Sequence, residues 1–358
     1  DRSARTDDSR VRGGAEVKVA VDAQLAVGTA TGIGEYVRGL IDALRADGLD
    51  VIELSEPKLD PWRFDRRVFW DQVLFPQRVR QVAADVVHCA SGTVPIGLLV
   101  PYVVTVHDVA WLRVQSHARP YARYYFGRFS VDRYRGAAAI AVDSAFSRDE
   151  LLAVMPELDP AVVRVVYPGV ADDYCTLPRR GGDGRTILSI GTVERRKNLE
   201  AIIETLPFLE KARLVSVGPY TPYQEECMAI AQSLGVEDRV EFRGYVPREE
   251  VLELCARAAV VAVPSLYEGF GYAAAQAMCA GVPAVVSDQA SLPEIVGDGA
   301  RVVPATDVKR WIEALGAALR GEDDARAQAG RAEAIERFSW TNSAREMLAA
   351  YETAFATK

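Results

Sequence analysis

Residues 264–287 read PSLYEGFGYAAAQAMCAGVPAVVS, and this stretch decides the fold of the chain. It has the order of a strand end, a glycine-rich turn, a helix of small residues, a glycine stop and a second strand. That order is typical of nucleotide sites in open α/β sheets. The alanine-rich segment predicts a helix over 272–280 that begins after Gly271 and ends at Gly281, its C-cap. The small side chains allow this helix to pack closely on the sheet.

The start of this predicted helix is suited to binding a phosphate group. The N–H groups from about Phe270 to Ala273, which include those of Gly271 and Tyr272, have no partner inside the helix, and the positive end of its dipole lies beside them. Glu268 lies in the loop just before the helix, where it can accept hydrogen bonds from sugar hydroxyls. Gln276 lies one turn into the helix, within reach of a ribose hydroxyl. The stretch therefore predicts a sugar-nucleotide site.

This stretch resembles the acidic motif of retaining GT-B glycosyltransferases, the group 1 family that includes sucrose synthases and bacterial mannosyltransferases. In that family a glutamate, seven residues and a second glutamate surround the sugar nucleotide. The resemblance implies that Glu268 lies near the donor sugar and Gln276 on the ribose. Gln276 departs from the motif because it lacks the charge, which costs roughly 1–2 kcal/mol of charge-assisted hydrogen bonding. An ordinary strand–helix–strand crossover with a tight glycine turn is the alternative.

Length and composition indicate a globular chain with room for two domains. It has 358 residues, 49% hydrophobic and 26% charged, and its net charge of −8 argues against general nucleic-acid binding. The five cysteines form no CxxC pair, which predicts reduced thiols in a cytoplasmic protein. No run approaches the roughly 18 apolar residues of a membrane span, so we expect a soluble or peripherally attached protein. We interpret residues 1–14 as a disordered leader.

A glycine-rich loop follows the first predicted strand. Residues 17–22 read as a strand, 35–44 as an amphipathic helix, and GTATGIGEY lies between them at 28–36. Gly32 and Gly34 allow the backbone to approach a ligand at the mouth of the strand, although a plain strand-to-helix turn fits this signal equally well. The family resemblance implies a loop that faces the donor phosphates and the acceptor.

Two predicted strands, 85–88 and 102–106, are each associated with a histidine at the carboxyl end, His88 and His107. Catalytic side chains often lie at such strand ends, and a histidine there can donate a hydrogen bond to a sugar hydroxyl or a phosphate. The alternative is a buried histidine bonded to a loop carbonyl, with Asp108 capping the next turn. Likeness to the histidine that follows this strand in many of these transferases favours a functional role for His107.

Two segments of the first half combine arginines with aromatic residues. Residues 60–80 include Trp62 and Trp70 and predict a helix with its aromatics inward and its arginines in water. Residues 113–135 interleave six arginines with aromatics and contain one acid. The aromatics at 121, 125 and 129 share a helical face, which favours a solvated helix with an aromatic inner face. Alternatively, the segment binds a phosphorylated acceptor or makes transient contact with an anionic membrane, which would be the inner face of the plasma membrane.

The chain is predicted to form two doubly wound α/β domains joined at a hinge. The hinge sequence VVYPGV, residues 165–170, ends a strand at a Pro-Gly turn, and a second alternation of strands and helices follows without a sequence repeat. The resemblance implies GT-B architecture, with two Rossmann-like domains facing a central cleft. The first, 15–170, binds the acceptor and the second, 171–339, binds the nucleotide sugar. A last helix, 340–358, packs back on the first domain.

The first predicted strand of the second domain leads into the sequence GTVERRKN. Arg196 and Lys197 stand before a predicted helix with Asn198 as its N-cap, and two cations beside a helix N-terminus can stabilise a departing diphosphate. A solvated basic turn is the alternative. The resemblance assigns Lys197 to the donor pyrophosphate. The arginine that often follows the glycine in this family is Thr192 here, so Arg195 or Arg196 substitutes for it.

The same resemblance covers two further segments, a turn and a short helix. The backbone at Gly244, Tyr245 and Val246 is expected to line the pocket for the nucleobase. The sequence DQASLPEIVGDGA also matches the family, and in it Glu294 opens a short predicted helix. We interpret Glu294 as architectural rather than chemical.

These features predict a metal-independent glycosyltransferase with His107, Glu268, Lys197 and Arg196 as catalytic residues. The resemblance implies transfer from a nucleoside diphosphate sugar, with GDP-mannose favoured, to a hydroxyl of a glycan, lipid-linked glycan or small molecule. The anomeric configuration is retained, no protein nucleophile is used, and the donor is a substrate, so no cofactor is expected. A phosphorylase of the same fold is a rival that would need a phosphate pocket. A non-catalytic partner of an active transferase is another, motivated by Gln276. The absence of a GxGxxG sequence with a later acid excludes a nicotinamide dehydrogenase.

Overall fold

The computed structural model describes residues 17–28, 32–114, 119–179 and 181–357. The predicted leader, 1–14, lies outside them. Within the described residues the chain forms two six-stranded parallel sheets, each the centre of one domain. The first sheet has the order β2-β1-β3-β4-β5-β6, with β1 (Lys18–Asp22), β2 (Asp50–Leu54), β3 (Val86–Cys89), β4 (Tyr102–Val106), β5 (Ala139–Val142) and β6 (Val163–Val165). The second has the order β12-β11-β10-β7-β8-β9, with β7 (Thr186–Ile190), β8 (Arg213–Val217), β9 (Val240–Phe242), β10 (Val260–Val263), β11 (Ala284–Ser287) and β12 (Arg301–Val303).

Helices follow most of the strands and cover both sheets. Those up to the hinge and just beyond it are α1 (Gly32–Ala46), α2 (Phe64–Phe69), α3 (Phe75–Val82), α4 (Ala110–Arg113), α5 (Pro120–Tyr124), α6 (Ala145–Val154) and α7 (Asp172–Cys175). Those that follow are α8 (Glu200–Ile203), α9 (Tyr223–Ser233), α10 (Arg248–Arg257), α11 (Tyr272–Ala280), α12 (Leu292–Val296), α13 (Val308–Leu319), α14 (Asp324–Arg337) and α15 (Trp340–Ala356). Two π-helical turns, Trp70–Leu74 and Tyr125–Phe129, follow α2 and α5. Short 3₁₀ turns occur at Gln24–Ala26, Tyr134–Gly136, Pro160–Val162, Arg195–Lys197, Leu206–Phe208, Glu237–Arg239 and Gly297–Gly299.

The central strands are apolar on both faces because helices cover both sides of each sheet. β5 reads AIAV and β10 reads VVAV, and every residue of both strands is buried. Such continuous apolar runs are typical of parallel sheets inside doubly wound folds. The strand order reverses between β1 and β3 in the first sheet and between β7 and β10 in the second. Ligands of open α/β sheets bind in the crevice at such reversals, outside the carboxyl ends of the strands.

The helix predicted at the outset forms with the predicted limits. Gly271, with a φ of 94°, stands at the start of α11, and Gly281, with a φ of 65°, ends it. Both glycines adopt the left-handed backbone conformation, which a residue with a side chain rarely adopts. The remainder of α11 from Ala274 onward is buried. The small side chains therefore allow the helix to lie close against the sheet.

The last helix, α15, packs on the first sheet although it follows the second domain in the chain. Met347, Tyr351 and their neighbours belong to the same apolar core as Leu40 of α1. The indole of Trp340 fills the space beside Gly39 and Gly169, where any Cβ atom would overlap with the ring. The chain thus crosses twice between the domains, and the N–H of Val170 in the first crossing donates to the carbonyl of Phe338 in the second at 2.7 Å.

Three predictions about the arginine- and aromatic-rich segments need correction. Trp62 lies in the loop before α2 and is 55% exposed rather than packed inward. Arg67 is buried rather than in water, because it pairs with Asp22 and Asp71. Tyr125 is buried and stacks on Phe129, as predicted, but Tyr121 is 48% exposed. Residues 115–118 of this segment lie outside the described part of the chain.

In the part of the chain that the structure describes, no helix has the length and apolar character needed to cross a membrane. Nor is any group of three or more histidines, cysteines or acidic side chains placed there to hold a metal ion.

Candidate active site

A cavity of about 460 Å³ lies between the two domains, at the carboxyl ends of the central strands of both sheets. Twelve of the fourteen predicted site residues line it. They are Gly32, His107, Thr192, Arg196, Lys197, Tyr245, Val246, Glu268, Phe270, Gly271, Tyr272 and Gln276. Gly34 does not line it, because it lies buried inside α1. Gly244 does not line it either; its carbonyl accepts a hydrogen bond from Gly218 N at 2.9 Å and so supports the turn beside Tyr245.

Glu268 lies at the centre of the cationic side of this cavity. Its carboxylate pairs with Lys197 Nζ through Oε1, and it accepts from Arg196 Nη1 at 3.2 Å through Oε2. Ser265 Oγ donates to Oε1 at 2.8 Å. Burial by itself would raise the pKa of Glu268, but the charges of Lys197 and Arg196 outweigh this effect and lower it. Glu268 is therefore an ionised carboxylate held next to two cations.

The turn that carries the two cations is fixed to the loop that carries Glu268. Asn198 has a φ of 53°, and its Nδ2 donates to Pro264 O and Ala305 O, each at 3.1 Å. Asn198 thus ends the 3₁₀ turn and does not begin a helix. The prediction that it is an N-cap was wrong, since α8 starts at Glu200. Leu266 N also donates to Arg196 O at 2.7 Å, so the two loops form one unit.

Arg196, and not Arg195, is the arginine that faces the cavity. Arg195 points outward, is more than half exposed and pairs with Glu226. Arg196 also pairs with Glu194 at 2.8 Å, which keeps its guanidinium beside Lys197.

His107 is held by both of its ring nitrogens. Nδ1 lies 2.7 Å from Asp143 Oδ2 and Nε2 lies 3.0 Å from Ala90 O. Both partners accept hydrogen bonds, so both nitrogens carry a proton and the ring is an imidazolium. Burial would lower the pKa of His107, but the Asp143 carboxylate raises it above its ordinary value. His107 is therefore positively charged below its raised pKa, and it has no free nitrogen that could take up a proton.

His88 has a structural role, although its partners are two hydroxyls and not the loop carbonyl of the predicted alternative, a contact that His107 makes with Ala90 O instead. Its ring is fully buried between Thr105 Oγ1 and the hydroxyl of Tyr351, each at 2.8 Å. Burial lowers its pKa to about 3, so the ring is neutral. It does not line the cavity and instead joins the last helix to the first sheet.

Direct contacts between the domains surround the loop of Glu268. The carbonyl of Gly269 accepts hydrogen bonds from Ser144 Oγ at 2.5 Å and Ser147 Oγ at 3.0 Å. Gly269 also lies against the backbone carbonyl of His107, where any Cβ atom would overlap with it. Because the neighbour of Glu268 is held in this way, the relative position of the two domains also positions the Glu268 carboxylate.

Glu294 joins the domains a short distance away. Its carboxylate accepts from Ala145 N at 2.8 Å and Phe146 N at 3.0 Å, at the start of α6 in the first domain. The hydroxyl of Tyr167, in the hinge, donates to the same carboxylate at 2.7 Å. Ser144 is the N-cap of α6, and its Oγ accepts from Ser147 N at 3.0 Å.

The two halves of the chain each match a known family profile. Residues 30–174 match the glycosyltransferase family 4 profile and residues 178–334 match the glycosyltransferases group 1 profile. The chain is 32% identical, over 76% of its length and 71% of the relative's, to an MMP alpha-(1->4)-mannosyltransferase of Mycolicibacterium hassiacum.

The chain belongs to the group 1 glycosyltransferases.

Two other comparisons agree with this assignment. An O-antigen chain mannosyltransferase B of Escherichia coli is 28% identical over 70% of each chain. The solved structure of sucrose-phosphate synthase from Thermosynechococcus elongatus covers 96% of this chain and 100% of its own, with a TM-score of 0.76 at 21% identity. The fold is therefore the GT-B fold that the sequence predicted, and the protein is an enzyme of the glycosyltransferase class.

Several residues of the glycosyltransferase cavity were not predicted from sequence. They are Glu35, Trp62, Asp108, Asp143 and Arg248. Asp108 and Asp143 follow the ends of β4 and β5, so the strand-end rule that selected His107 could have found them. Trp62 carries no comparable signal because it lies in an irregular loop, and Arg248, the first residue of α10, does not follow a strand end directly. Arg248 pairs with Glu35 at 3.1 Å across the domain boundary and also with Asp173.

Proposed function

We propose that the enzyme transfers a sugar from a nucleoside diphosphate donor to an acceptor hydroxyl, with retention at the anomeric carbon and without a metal ion. The observation that carries this proposal is the pair of cations, Arg196 and Lys197, fixed beside Glu268 and the N-terminus of α11 at a strand-order reversal. Two cations and unpaired helix N–H groups supply the charge that a departing diphosphate needs. Glu268 lies where it can accept hydrogen bonds from hydroxyls of the donor sugar.

The proposed reaction uses no protein nucleophile. The bond between the anomeric carbon and the diphosphate oxygen breaks, the acceptor oxygen bonds to that carbon, and the acceptor proton passes to the departing diphosphate. This course is supported by His107, whose ring nitrogens both carry protons and donate to Asp143 and Ala90. The positive charge of the His107 ring is available to polar groups of the substrates. Contact between the two domains excludes water, which would otherwise hydrolyse the donor.

We further propose GDP-mannose as the donor, because two relatives of the chain are named mannosyltransferases. The test is a thermal-shift screen of the purified protein against GDP, UDP, ADP and their sugar conjugates. At a hundred times its dissociation constant a bound nucleotide adds roughly 2.7 kcal/mol of stability. We expect the largest shift with GDP compounds and its loss in Lys197→Ala. Lys211→Ala removes an exposed lysine elsewhere and is the matched control. A larger shift with UDP or ADP compounds would contradict the donor assignment.

A catalytically impaired partner of another transferase is the second candidate, and Gln276 is the observation that favours it. Gln276 lines the cavity, where its amide can reach a ribose but carries no charge. Binding of a donor without transfer to any acceptor, both in the natural protein and in Gln276→Glu, would support this candidate. Measurable transfer by the natural protein would exclude it.

We also propose transient contact of residues 113–135 with an anionic membrane surface. The proposal is supported by Tyr121 and Tyr124, which are 48% and 61% exposed, and by the exposed arginines beside them. Aromatic rings and arginines together suit the interface of a membrane with negative headgroups. Co-sedimentation with vesicles of anionic lipid, weakened by Tyr124→Ala and by high salt, is the expected result. Equal binding to neutral vesicles would contradict it.

A further inference from the structure

The charges that line the cavity are divided between the two domains. Its three arginine and lysine side chains, Arg196, Lys197 and Arg248, all come from the second domain. Among the described residues, the first domain contributes the carboxylates Glu35, Asp108 and Asp143 and no arginine or lysine. Glu35 pairs with Arg248 and Asp143 pairs with His107. The first-domain wall is therefore acidic, while the second-domain wall is basic.

One carboxylate of the acidic wall has a buried oxygen that is not satisfied within the described part of the chain, and a second, that of Asp108, is half-buried there. Asp143 Oδ1 is buried and has no hydrogen-bond partner. Asp108 accepts from Ala110 N through Oδ1 at 2.9 Å, while Oδ2 has no such contact. The hydroxyl of Tyr272, which also lines the cavity, is buried and unpartnered as well. Unpaired buried polar atoms are rare in proteins and often mark the place of a ligand.

Trp62 adds an apolar platform to the same wall. It lies in the loop before α2, lines the cavity and is 55% exposed. Its backbone N–H donates to Asp60 Oδ1 at 2.9 Å, which fixes the loop. An exposed indole offers a flat apolar face, which matches the C–H face of a sugar ring, while nearby carboxylates match the hydroxyls on its edge.

We propose that the acceptor is an uncharged sugar, stacked on Trp62 and hydrogen-bonded by the first-domain carboxylates, and that this wall excludes phosphorylated sugars. The inference rests on the proposed transfer reaction and names its acceptor class. A phosphate on the acceptor would stand against Asp108, which no arginine or lysine of that wall balances, while the charge of His107 is already paired with Asp143. Arg63 and Arg66 lie near Trp62, but both pair with Asp65 and neither lines the cavity.

The experiment uses GDP-mannose as the donor and compares pairs of acceptors that differ only by a phosphate group. Release of the nucleoside diphosphate is followed with mannose and mannose 6-phosphate, with myo-inositol and inositol phosphate, and with methyl mannosides and disaccharides. We expect the uncharged member of each reactive pair to have a kcat/KM about 100-fold higher, because like charges in a desolvated site repel strongly. Asp108→Asn should narrow this ratio about tenfold, since it removes one of the repelling charges.

Two variants separate stacking from folding. Trp62→Ala should raise the acceptor KM about tenfold, and Trp62→Phe should restore most of the loss, because an aromatic face remains. Phe208→Ala removes an aromatic side chain that is 67% exposed and outside the cavity, so it is the matched control with unchanged KM. The donor dissociation constant and the melting temperature are measured for each variant and should stay constant.

The outcomes distinguish this inference from the proposed function. Preference for the phosphorylated member, or a KM that Trp62→Ala leaves unchanged, overturns the acceptor assignment alone. Donor binding without transfer to any uncharged sugar overturns it too. Absence of donor binding overturns the transfer reaction and the acceptor assignment with it.

Discussion

Replacing Glu294 with alanine tests whether contact between the domains prepares the site. The change removes three hydrogen bonds from one carboxylate, two to the start of α6 and one to Tyr167. A hydrogen bond to a charged group contributes about 1.5–3 kcal/mol, and a helix cap about 0.5–2 kcal/mol. Ala145 is exposed, so water replaces part of the contact. We expect the arrangement seen in the structure, with the domains in contact and here called closed, to lose about 2 kcal/mol. That loss lowers the ratio of closed to open protein about 30-fold.

The expected result is a separation of binding from transfer. The residues proposed to hold the nucleotide lie mainly in the second domain, so the donor dissociation constant should stay within about twofold, while the transfer rate falls up to about 30-fold. Small-angle scattering should show a larger radius of gyration, and Tyr167→Phe should give a smaller effect. Glu313→Ala is the control, because Glu313 is exposed and pairs only with Arg310 among the described residues. An unchanged transfer rate together with an unchanged scattering profile would show that Glu294 does not hold the domains together.

Three further predictions concern single contacts. Gly269→Ala forces a Cβ atom against the His107 carbonyl. It should reduce transfer about 100-fold in initial-rate assays, with little change in nucleotide binding. A rate near that of the natural protein would show that the backbone at this contact can shift without loss of activity. Asn198→Ala should cost about 2–4 kcal/mol in denaturant unfolding, whereas Asn198→Gly, which accepts the positive φ, should cost less; equal losses would exclude a backbone contribution. Because the pKa of His107 is raised in the folded protein, its stabilisation is complete below about pH 6.5 and is lost as pH rises through the folded value. Thermal melts should therefore fall over that window, and Asp143→Asn should flatten the fall; an unaltered slope would contradict the pairing.

The parts of the fold that were predicted correctly depend on local chemistry. The limits of α11 follow from two glycines that adopt left-handed conformations, so the sequence around them was sufficient. The pattern at Asn198 was also local, but it misled. An asparagine before a helical pattern normally caps the helix, whereas here its amide binds carbonyls 66 and 107 residues away. Partners so far away along the chain cannot be recognised from the residues next to Asn198.

Distant partners also explain several other features that the sequence did not predict. The proton state of His107 depends on Asp143, 36 residues later, and on a carbonyl from another strand end. Arg67 was predicted to lie on the solvent face of a helix because of its spacing from the aromatic residues, but it is buried and pairs with Asp22 of the first strand. β2 was missed because it lies at the sheet edge, where polar and apolar residues mix. Resemblance to a family identified the cleft, while the partners across it required the structure.

The position of α15 has a consequence for synthesis of the chain on the ribosome. Domains usually fold in the order in which they emerge. Here the first domain lacks a side of its core, and His88 lacks the hydroxyl of Tyr351, until the whole second domain has been translated. The first domain therefore has an exposed apolar face while the second domain is being translated. Its core is complete only when α15 has packed on it and Trp340 lies between Gly39 and Gly169.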